Sequence, residues 1–337
     1  MQISVLFLLL LLFSNINAEF DKEKLSIYAG EASYSDKAQW QIPKQIPYPK
    51  DNPLTKEKIK LGKELFFDPR LSKNNDISCS SCHNPKYGWS DNRAKSIGDQ
   101  NRVGRRNSPT VINSAFLQNF FHDGRAKSLE EQALGPIESE VEMNIKLDEL
   151  VEKLKRIKKY QELFNKAFDD GITKENIAKA LASFQRTLLS LNAPFDRWIQ
   201  GDKDAISEDA KEGFDLFLNK GRCQLCHAGF NFTNERFANI GLGDKSDLGV
   251  YEISSDKSAI WYGAFKTPTL RDIEKSAPYF HDGSVKTLKE AVTICGNGGR
   301  KPVKIRSPFF RDRKLNEYDV DKIVEFLKTL TSPDIKY

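Results

Sequence analysis

The sequence predicts an all-α protein built from two similar domains. Apolar residues recur at helical spacing in several segments, whereas alternating patterns typical of strands are scarce. Motifs in the first half of the chain return in the second half, which indicates a duplicated unit. With 337 residues, the chain is long enough for each of two domains to bury its own core.

Helical periodicity is found along the chain between loops rich in glycine and proline. These segments predict helices at roughly the following positions: 54–67, 128–134, 147–168, 174–200, 207–219, 286–293 and 318–330.

The internal repeat is clearest in two segments that align without gaps. SPTVINSAFLQNFFHDGRAKSLEEQA, which contains His122, matches TPTLRDIEKSAPYFHDGSVKTLKEAV, which contains His281. An earlier pair, LGKELFFDPRLS and KEGFDLFLNKG, aligns Gly62 with Gly213. The repeat predicts a first domain over residues 50–200 and a second over 201–337, with the boundary in QGDKDAISED.

The first residues are typical of an export signal. An apolar run is followed by small and polar residues ending at Ala18, so residues 1–18 are expected to be a cleaved signal peptide that directs the chain to the periplasm. The run is too short to span a bilayer, and no other segment resembles a membrane helix. Residues 19–49 form an N-terminal extension without an assigned role.

Charge does not indicate a nucleic-acid partner. The chain has 52 basic and 47 acidic residues, a formal net charge of +5, spread without long blocks of one sign. No basic face interleaved with aromatic residues is evident, so the lysines are interpreted as a solvated surface.

Cysteine and histidine usage points to covalently bound haem. Four of the five cysteines fall into the units CSSCH and CQLCH. A four-cysteine zinc site or two disulfides could use the same cysteines, but neither explains why a histidine directly follows each pair. In a c-type haem site, the two thiols form thioether bonds and the adjacent imidazole binds the iron. The sequence thus predicts two haems, with thioethers at Cys79, Cys82, Cys223 and Cys226 and proximal iron ligands at His83 and His227.

The repeat also suggests how the two irons differ on their distal sides. Pro136 lies fourteen residues after His122, and Cys295 lies fourteen residues after His281. Proline offers no side-chain donor atom, whereas a thiolate is a strong ligand, so we expect an open first iron and a second iron closed by Cys295. The alternative is that Cys295 is a small buried thiol without a metal.

Taken together, these motifs resemble the bacterial di-haem cytochrome c peroxidase and MauG-like family over roughly residues 50–332. The resemblance is carried by the two haem units and by RRNSPTVIN, FFHDGRAKSLEEQALGPIESEVEM, SFQRTLLSLNAPFDRW, GAFKTPTLRD and PYFHDGSVKTLKEAV. It implies two cytochrome c-like domains that face each other across a calcium-bearing interface. It also implies that the N-terminal haem reduces hydrogen peroxide, and that the C-terminal haem relays electrons from a small cytochrome c or cupredoxin.

The resemblance further implies roles for individual residues. Glu142 matches the distal acid, and Gln132 and Pro136 match residues that line the same pocket. The calcium ligands would be the Asn107 side chain and the carbonyls of Ser276 and Pro278.

The position of His122 usually holds a tryptophan between the haems. His122 could therefore be a relay residue or a structural element of the His-Asp-Gly turn, as its repeat mate His281 suggests. Trp89 and Trp261 are further candidates for an electron relay.

Two departures from the family pattern shape the expected function. Residues 84–106 contain no histidine that could cap the first haem, so this haem is expected to be open in the fully oxidised protein. The second haem lacks the usual methionine, because the chain has only Met1 and Met143, and thiolate ligation by Cys295 would lower its potential. The expected function is a periplasmic peroxidase; the alternatives are a MauG-like oxidase of a partner protein, or a non-enzymatic electron carrier or redox sensor. Because family members are often dimers, a homodimer is also considered.

Overall fold

The structure is a computed structural model that describes residues 37–242, 246–300, 306–333, 335 and 337. The predicted signal peptide, residues 1–18, and residues 19–36 of the predicted extension lie outside the described residues. Within the described part, no helix is both long and apolar enough to cross a membrane.

The described chain is mainly helical, which confirms the predicted fold class. The helices are α1 (Lys56–Phe66), α2 (Cys79–Cys82), α3 (Leu129–Glu138), α4 (Leu147–Lys155), α5 (Lys158–Ala167), α6 (Lys174–Gln185), α7 (Pro194–Ile199), α8 (Glu208–Leu218), α9 (Val250–Ile253), α10 (Leu288–Gly296) and α11 (Glu317–Lys328). Short 3₁₀ turns lie before and between the helices, among them Lys37–Trp40 and Cys223–Leu225. Two short strands, β1 (Phe237–Ala238) and β2 (Phe265–Lys266), pair antiparallel.

Two predicted helices are each divided in the structure. The segment 147–168 forms α4 and α5, because Ile157 adopts an extended conformation between them. The segment 174–200 forms α6 and α7 rather than one helix. Residues 186–193 separate these two helices. Pro194 fixes where α7 begins, because it favours an extended residue before it and its missing N–H is tolerated in the first turn of a helix.

The repeat is visible in how helices cross in each half. A Cβ placed on Gly62 of α1 would lie 1.9 Å from the Ala180 carbonyl oxygen of α6. A Cβ placed on Gly213 of α8 would lie 1.9 Å from the Lys322 carbonyl oxygen of α11. Each crossing is therefore so close that only glycine fits, and the aligned glycines mark equivalent helix pairs.

The two largest hydrophobic cores among the described residues lie in different parts of the chain. The first core contains buried residues between Leu61 and Leu188, and the second contains residues between Phe195 and Leu330. Trp40, which precedes the first core in sequence, belongs to the second core. Ile335, which follows the second core, packs against the first. The division of the chain at residue 200 remains a prediction.

The two halves exchange a matched pair of backbone hydrogen bonds. The Asn107 N–H donates to the His281 carbonyl at 2.7 Å, and the Lys266 N–H donates to the His122 carbonyl at 2.7 Å. Asn107 and Lys266 hold equivalent repeat positions, each two residues before the aligned prolines. The contact is thus self-complementary, as in a two-fold interface between subunits.

Candidate functional site

A cavity of about 450 Å³, here called the first cavity, lies around the first Cys-x-x-Cys-His unit. This volume is in the range of sites that hold a cofactor or substrate. Lys266 and Pro268 reach it from the second half of the chain. Its lining brings together the residues predicted for the first haem and its peroxide site, Cys79, Cys82, His83, Gln132, Pro136 and Glu142, and it also includes His122, the relay candidate.

The first histidine is oriented by a backbone carbonyl. His83 follows α2, and its Nδ1 donates to the Trp89 carbonyl at 3.2 Å. This bond leaves Nε2 as the nitrogen available to iron. Burial lowers the pKa of His83, which favours the neutral imidazole that binds metals. Trp89, a relay candidate from the sequence, therefore supports the proximal side, and its indole is 1% exposed.

The second unit repeats this local geometry. The His227 Nδ1 donates to the Phe232 carbonyl at 2.9 Å. The backbone N–H of His83 donates to the Cys79 carbonyl and that of His227 to the Cys223 carbonyl, both at 2.9 Å. Both units thus present an imidazole in the same way from the same kind of turn.

The four paired cysteines are available for thioether attachment. All five are free thiols. Burial raises the pKa of Cys79, Cys82 and Cys223 to about 12, and that of Cys226 to about 11, so the thiols are neutral. Among the described residues, no group of three or more His, Cys, Asp or Glu is gathered as a metal site. The two units therefore do not come together as the four-cysteine zinc site considered from the sequence. Each unit can instead hold one haem through its two thiols and its histidine.

Glu142 is a half-buried carboxyl that faces the first cavity. Burial raises its pKa, and this rise is opposed by a side-chain hydrogen bond with Ser139 and by the positive charge of Arg125. A carboxyl with a raised pKa is suited to accept and return a proton near neutral pH.

A loop holds the turn that carries Glu142. The Asp99 N–H donates to the Glu142 carbonyl at 2.7 Å. The fully buried Asp99 carboxylate accepts hydrogen bonds from the side-chain amides of Asn74 at 2.5 Å and Asn144 at 2.8 Å. Arg102 also donates to the Glu140 carbonyl at 2.6 Å. This clamp, residues 97–103, lies in the segment in which the sequence lacks a capping histidine.

The clamp was missed from the sequence. Asp99 has no motif of its own, and its partners come from two separate segments of the chain, one at Asn74 and one at Glu142 and Asn144. The acidic residue between glycine and polar residues in SIGDQN is a weak indication of a structured turn.

Pro136 and Cys295 lie at equivalent positions in the helices that follow the two His-Asp-Gly turns. Pro136 lies in α3 and lines the first cavity, and Cys295 lies in α10. Burial raises the pKa of the Cys295 thiol to about 12. Burial, and to a smaller extent the charge of Cys295, raises the pKa of Cys223. Met143 is buried in the first core.

The predicted calcium residues lie in segments near the contact between the halves. The Asn107 side-chain amide donates to the Arg93 carbonyl at 2.7 Å. Ser276 is followed by a cis peptide bond between Ala277 and Pro278. A Cβ on Gly283 would lie 2.2 Å from the Ala94 carbonyl oxygen, so the loop at Ala94 packs closely against the turn at Gly283. Calcium ligation itself remains a prediction.

His122 lies at the contact between the halves. Its Nε2 donates to the Asn107 carbonyl at 3.0 Å, and burial lowers its pKa to about 3. The side chain is therefore a neutral, fixed hydrogen-bond donor in this position. Trp261, the other relay candidate, donates its indole N–H to the exposed Asp256.

Comparison with known proteins agrees with the resemblance that the motifs indicate. The family model described as di-haem cytochrome c peroxidase matches residues 56–204. The methylamine utilization protein MauG of Methylorubrum extorquens is 43% identical over 299 residues, covering 87% of this chain and 84% of that protein. The cytochrome c551 peroxidase of Nitrosomonas europaea is 40% identical over 293 residues, covering 84% and 83%.

Solved structures share the fold. A MauG-like protein associated with microbial copper homeostasis superposes with a TM-score of 0.81 at 30% identity, covering 88% of this chain and 96% of that chain. The di-haem peroxidase BthA of Burkholderia thailandensis gives a TM-score of 0.72 at 20% identity, covering 84% and 87%, which supports the fold alone. The resemblance predicted from the motifs is confirmed, and two c-type haems are implied for this chain. The chain belongs to the di-haem cytochrome c peroxidase family of oxidoreductases.

Proposed function

We propose that the protein reduces hydrogen peroxide to water in the first cavity, at the haem attached through Cys79 and Cys82. One observation carries this proposal: a carboxyl with a raised pKa, Glu142, lines the same cavity as the proximal histidine His83. The proposed site of action in the cell is the periplasm, since c-type haem attachment outside the cytoplasm agrees with the predicted signal peptide.

Each residue of the cavity has a distinct task. When bound, the haem supplies an iron, held by His83, at which peroxide is reduced. Glu142 in its ionised form takes the proton from the inner peroxide oxygen and returns it to the outer oxygen, so that water leaves when the O–O bond breaks. Gln132 and Pro136 form the wall on α3, and the proline leaves that wall without a side-chain ligand.

The reaction balances with an external donor. One hydrogen peroxide takes two electrons and two protons and gives two water molecules. We propose that both electrons come from a small cytochrome c or cupredoxin through the haem at Cys223 and Cys226. His122 is a candidate for the path between the haems, because it lies where the two halves exchange backbone hydrogen bonds.

A MauG-like oxidase is the second candidate. In that reaction, the two electrons and two protons come from a side chain of a docked protein. The segment 84–106 favours it, because it contains no histidine that could cap the first haem. Met143 favours it as well, because this methionine is buried in the first core and lines the first cavity, and so does not serve the second haem. Both candidates share the peroxide step and differ in the source of electrons.

For the second haem, we propose that Cys295 is the distal ligand. Its place in α10, equivalent to that of Pro136 in α3, supports this role. We also propose one calcium ion at Asn107 and the carbonyls of Ser276 and Pro278. Removal of calcium by a chelator should then lower the unfolding temperature, and added calcium should restore it.

The peroxide step is tested with a matched pair of variants. Glu142→Gln should slow peroxide consumption about 100- to 10,000-fold, the range for loss of one acid-base group. Glu140→Gln removes an exposed carboxyl two residues away and should leave the rate unchanged. Equal rates in the two variants would contradict the role of Glu142. Steady turnover with a reduced cytochrome or cupredoxin supports the peroxidase, whereas its absence together with a normal peroxide step supports the MauG-like oxidase.

A further inference from the structure

The proximal histidine of the second haem is oriented by the backbone, through the Phe232 carbonyl and a further backbone interaction with Pro268. The His227 Nδ1 donates to the Phe232 oxygen at 2.9 Å. A hydrogen bond from this ring nitrogen increases the electron density on the nitrogen that faces the metal, and such bonds tune haem potentials. The direction of the Phe232 carbonyl therefore affects how strongly the imidazole donates to iron.

Phe232 holds this carbonyl in an unusual backbone conformation. Its φ is 49°, in the left-handed region, and its side chain is fully buried. A bulky L-residue adopts this region rarely and only where its surroundings fix it. The packing of the phenyl ring, together with the hydrogen bond from the Phe232 N–H to the Gly229 carbonyl at 2.9 Å, holds the backbone that points this carbonyl at His227.

Four aromatic rings pack around Phe232, and the nearest comes from a distant part of the chain. The indole of Trp40 lies 5.0 Å from the Phe232 ring, between centroids. Phe195, Phe326 and Phe217 lie at 5.3, 5.9 and 6.2 Å and belong to helices of the second core. Trp40 is 2% exposed, although it belongs to the segment before the first domain.

The first proximal histidine, His83, has a similar arrangement, but the distant aromatic ring that contacts its partner is more exposed to solvent. Trp89 accepts the bond from His83 at 3.2 Å, and its own φ is 59°. Tyr337 contacts the Trp89 ring at 4.9 Å, but it is 51% exposed. In each half, an aromatic residue in the left-handed region orients a histidine and is contacted by an aromatic ring from far away in sequence.

From these contacts we infer that Trp40 is a positioning residue for the second haem. Its indole fixes Phe232, the Phe232 carbonyl fixes His227, and the hydrogen bond at His227 holds the potential of that haem low. This gives a role to part of the predicted N-terminal extension. The inference rests on the proposed function only in taking His227 as the proximal iron ligand.

The test uses matched tryptophan variants of the holoprotein. Trp40→Leu should raise the reduction potential of the second haem in a spectroelectrochemical titration, because a displaced carbonyl weakens the bond from His227. Trp40→Phe, which keeps an aromatic ring, should give a smaller shift in the same direction. The potential of the first haem should be unchanged in both.

Trp198→Leu is the control, because Trp198 packs on Phe195 and Phe214 of the same core. It should lower stability without moving the potential. The inference is overturned if Trp40→Leu and Trp198→Leu move the potential equally, or if neither Trp40 variant moves it. If the Trp40→Leu protein does not acquire its haems, the potential measured for Trp40→Phe alone decides whether the inference holds.

The premise is tested separately in the unaltered protein. Nitrogen hyperfine coupling from an axial imidazole should be present in the second ferric haem. Its absence would refute the proposed ligand His227. If the imidazole is present and the Trp40 variants leave the potential unchanged, the proposed function stands and only the role of Trp40 fails.

Discussion

The substitution Gly98→Ala tests whether the clamp, residues 97–103, holds Glu142 in its position in the first cavity. A Cβ on Gly98 would lie 2.2 Å from the Val141 carbonyl oxygen and 2.6 Å from the Glu142 Cα, against 3.4 Å or more for ordinary contact. The φ of Gly98 is −113°, which alanine adopts freely, so the perturbation is purely steric. The turn bearing Glu142 must then move by about 1 Å, a displacement that can cost about 100-fold in rate.

The assay for Gly98→Ala is the second-order rate of the Soret change after mixing with peroxide, measured by stopped flow. Gly104→Ala is the control: its Cβ would meet the Ser96 hydroxyl at 2.5 Å, and a hydroxyl can rotate away. We expect about a 100-fold lower rate for Gly98→Ala and a near-normal rate for the control. A folded Gly98→Ala protein that reacts at the normal rate would refute the view that the clamp positions Glu142.

Three further predictions follow from the geometry. Burial raises the pKa of Glu142, so this carboxyl ionises at a higher pH than an ordinary glutamate. The rate of the peroxide reaction should therefore increase with pH around this raised pKa, and the rate of Glu142→Gln should not show this increase. Cys295→Ala should abolish low-spin thiolate signals in electron paramagnetic resonance and raise the potential of the second haem; persistence of these signals would exclude Cys295 as the ligand. Gly213→Ala forces a Cβ to 1.9 Å from a carbonyl and should destabilise the protein by at least about 1–3 kcal/mol in denaturant unfolding, whereas Gly135→Ala, which meets a phenyl ring at 3.1 Å, should cost less.

The sequence predicted the parts of the site that a repeat or a motif marks. The two haem units, the aligned glycines Gly62 and Gly213, and the equivalence of Pro136 with Cys295 could all be obtained from spacing. They are predictable because each requires a particular residue type at a fixed distance along the chain.

Contacts made across the chain were beyond sequence reasoning. Asp99 joins two distant segments, one at Asn74 and one at Glu142 and Asn144, and Trp40 enters a core formed by residues from Phe195 onwards. Neither position has a local pattern, since tertiary packing alone brings these groups together. The start of α7 at Pro194 shows the reverse case, in which a local rule was present but the helical periodicity on either side obscured it.

The central claim is that the first haem is accessible in the fully oxidised protein and that Glu142 serves it. The direct measurement is the Soret spectrum of the oxidised holoprotein, without any reductant, after addition of one equivalent of hydrogen peroxide. The account predicts a rapid change that is complete at one equivalent. A spectrum that stays unchanged until the second haem has been reduced would contradict it.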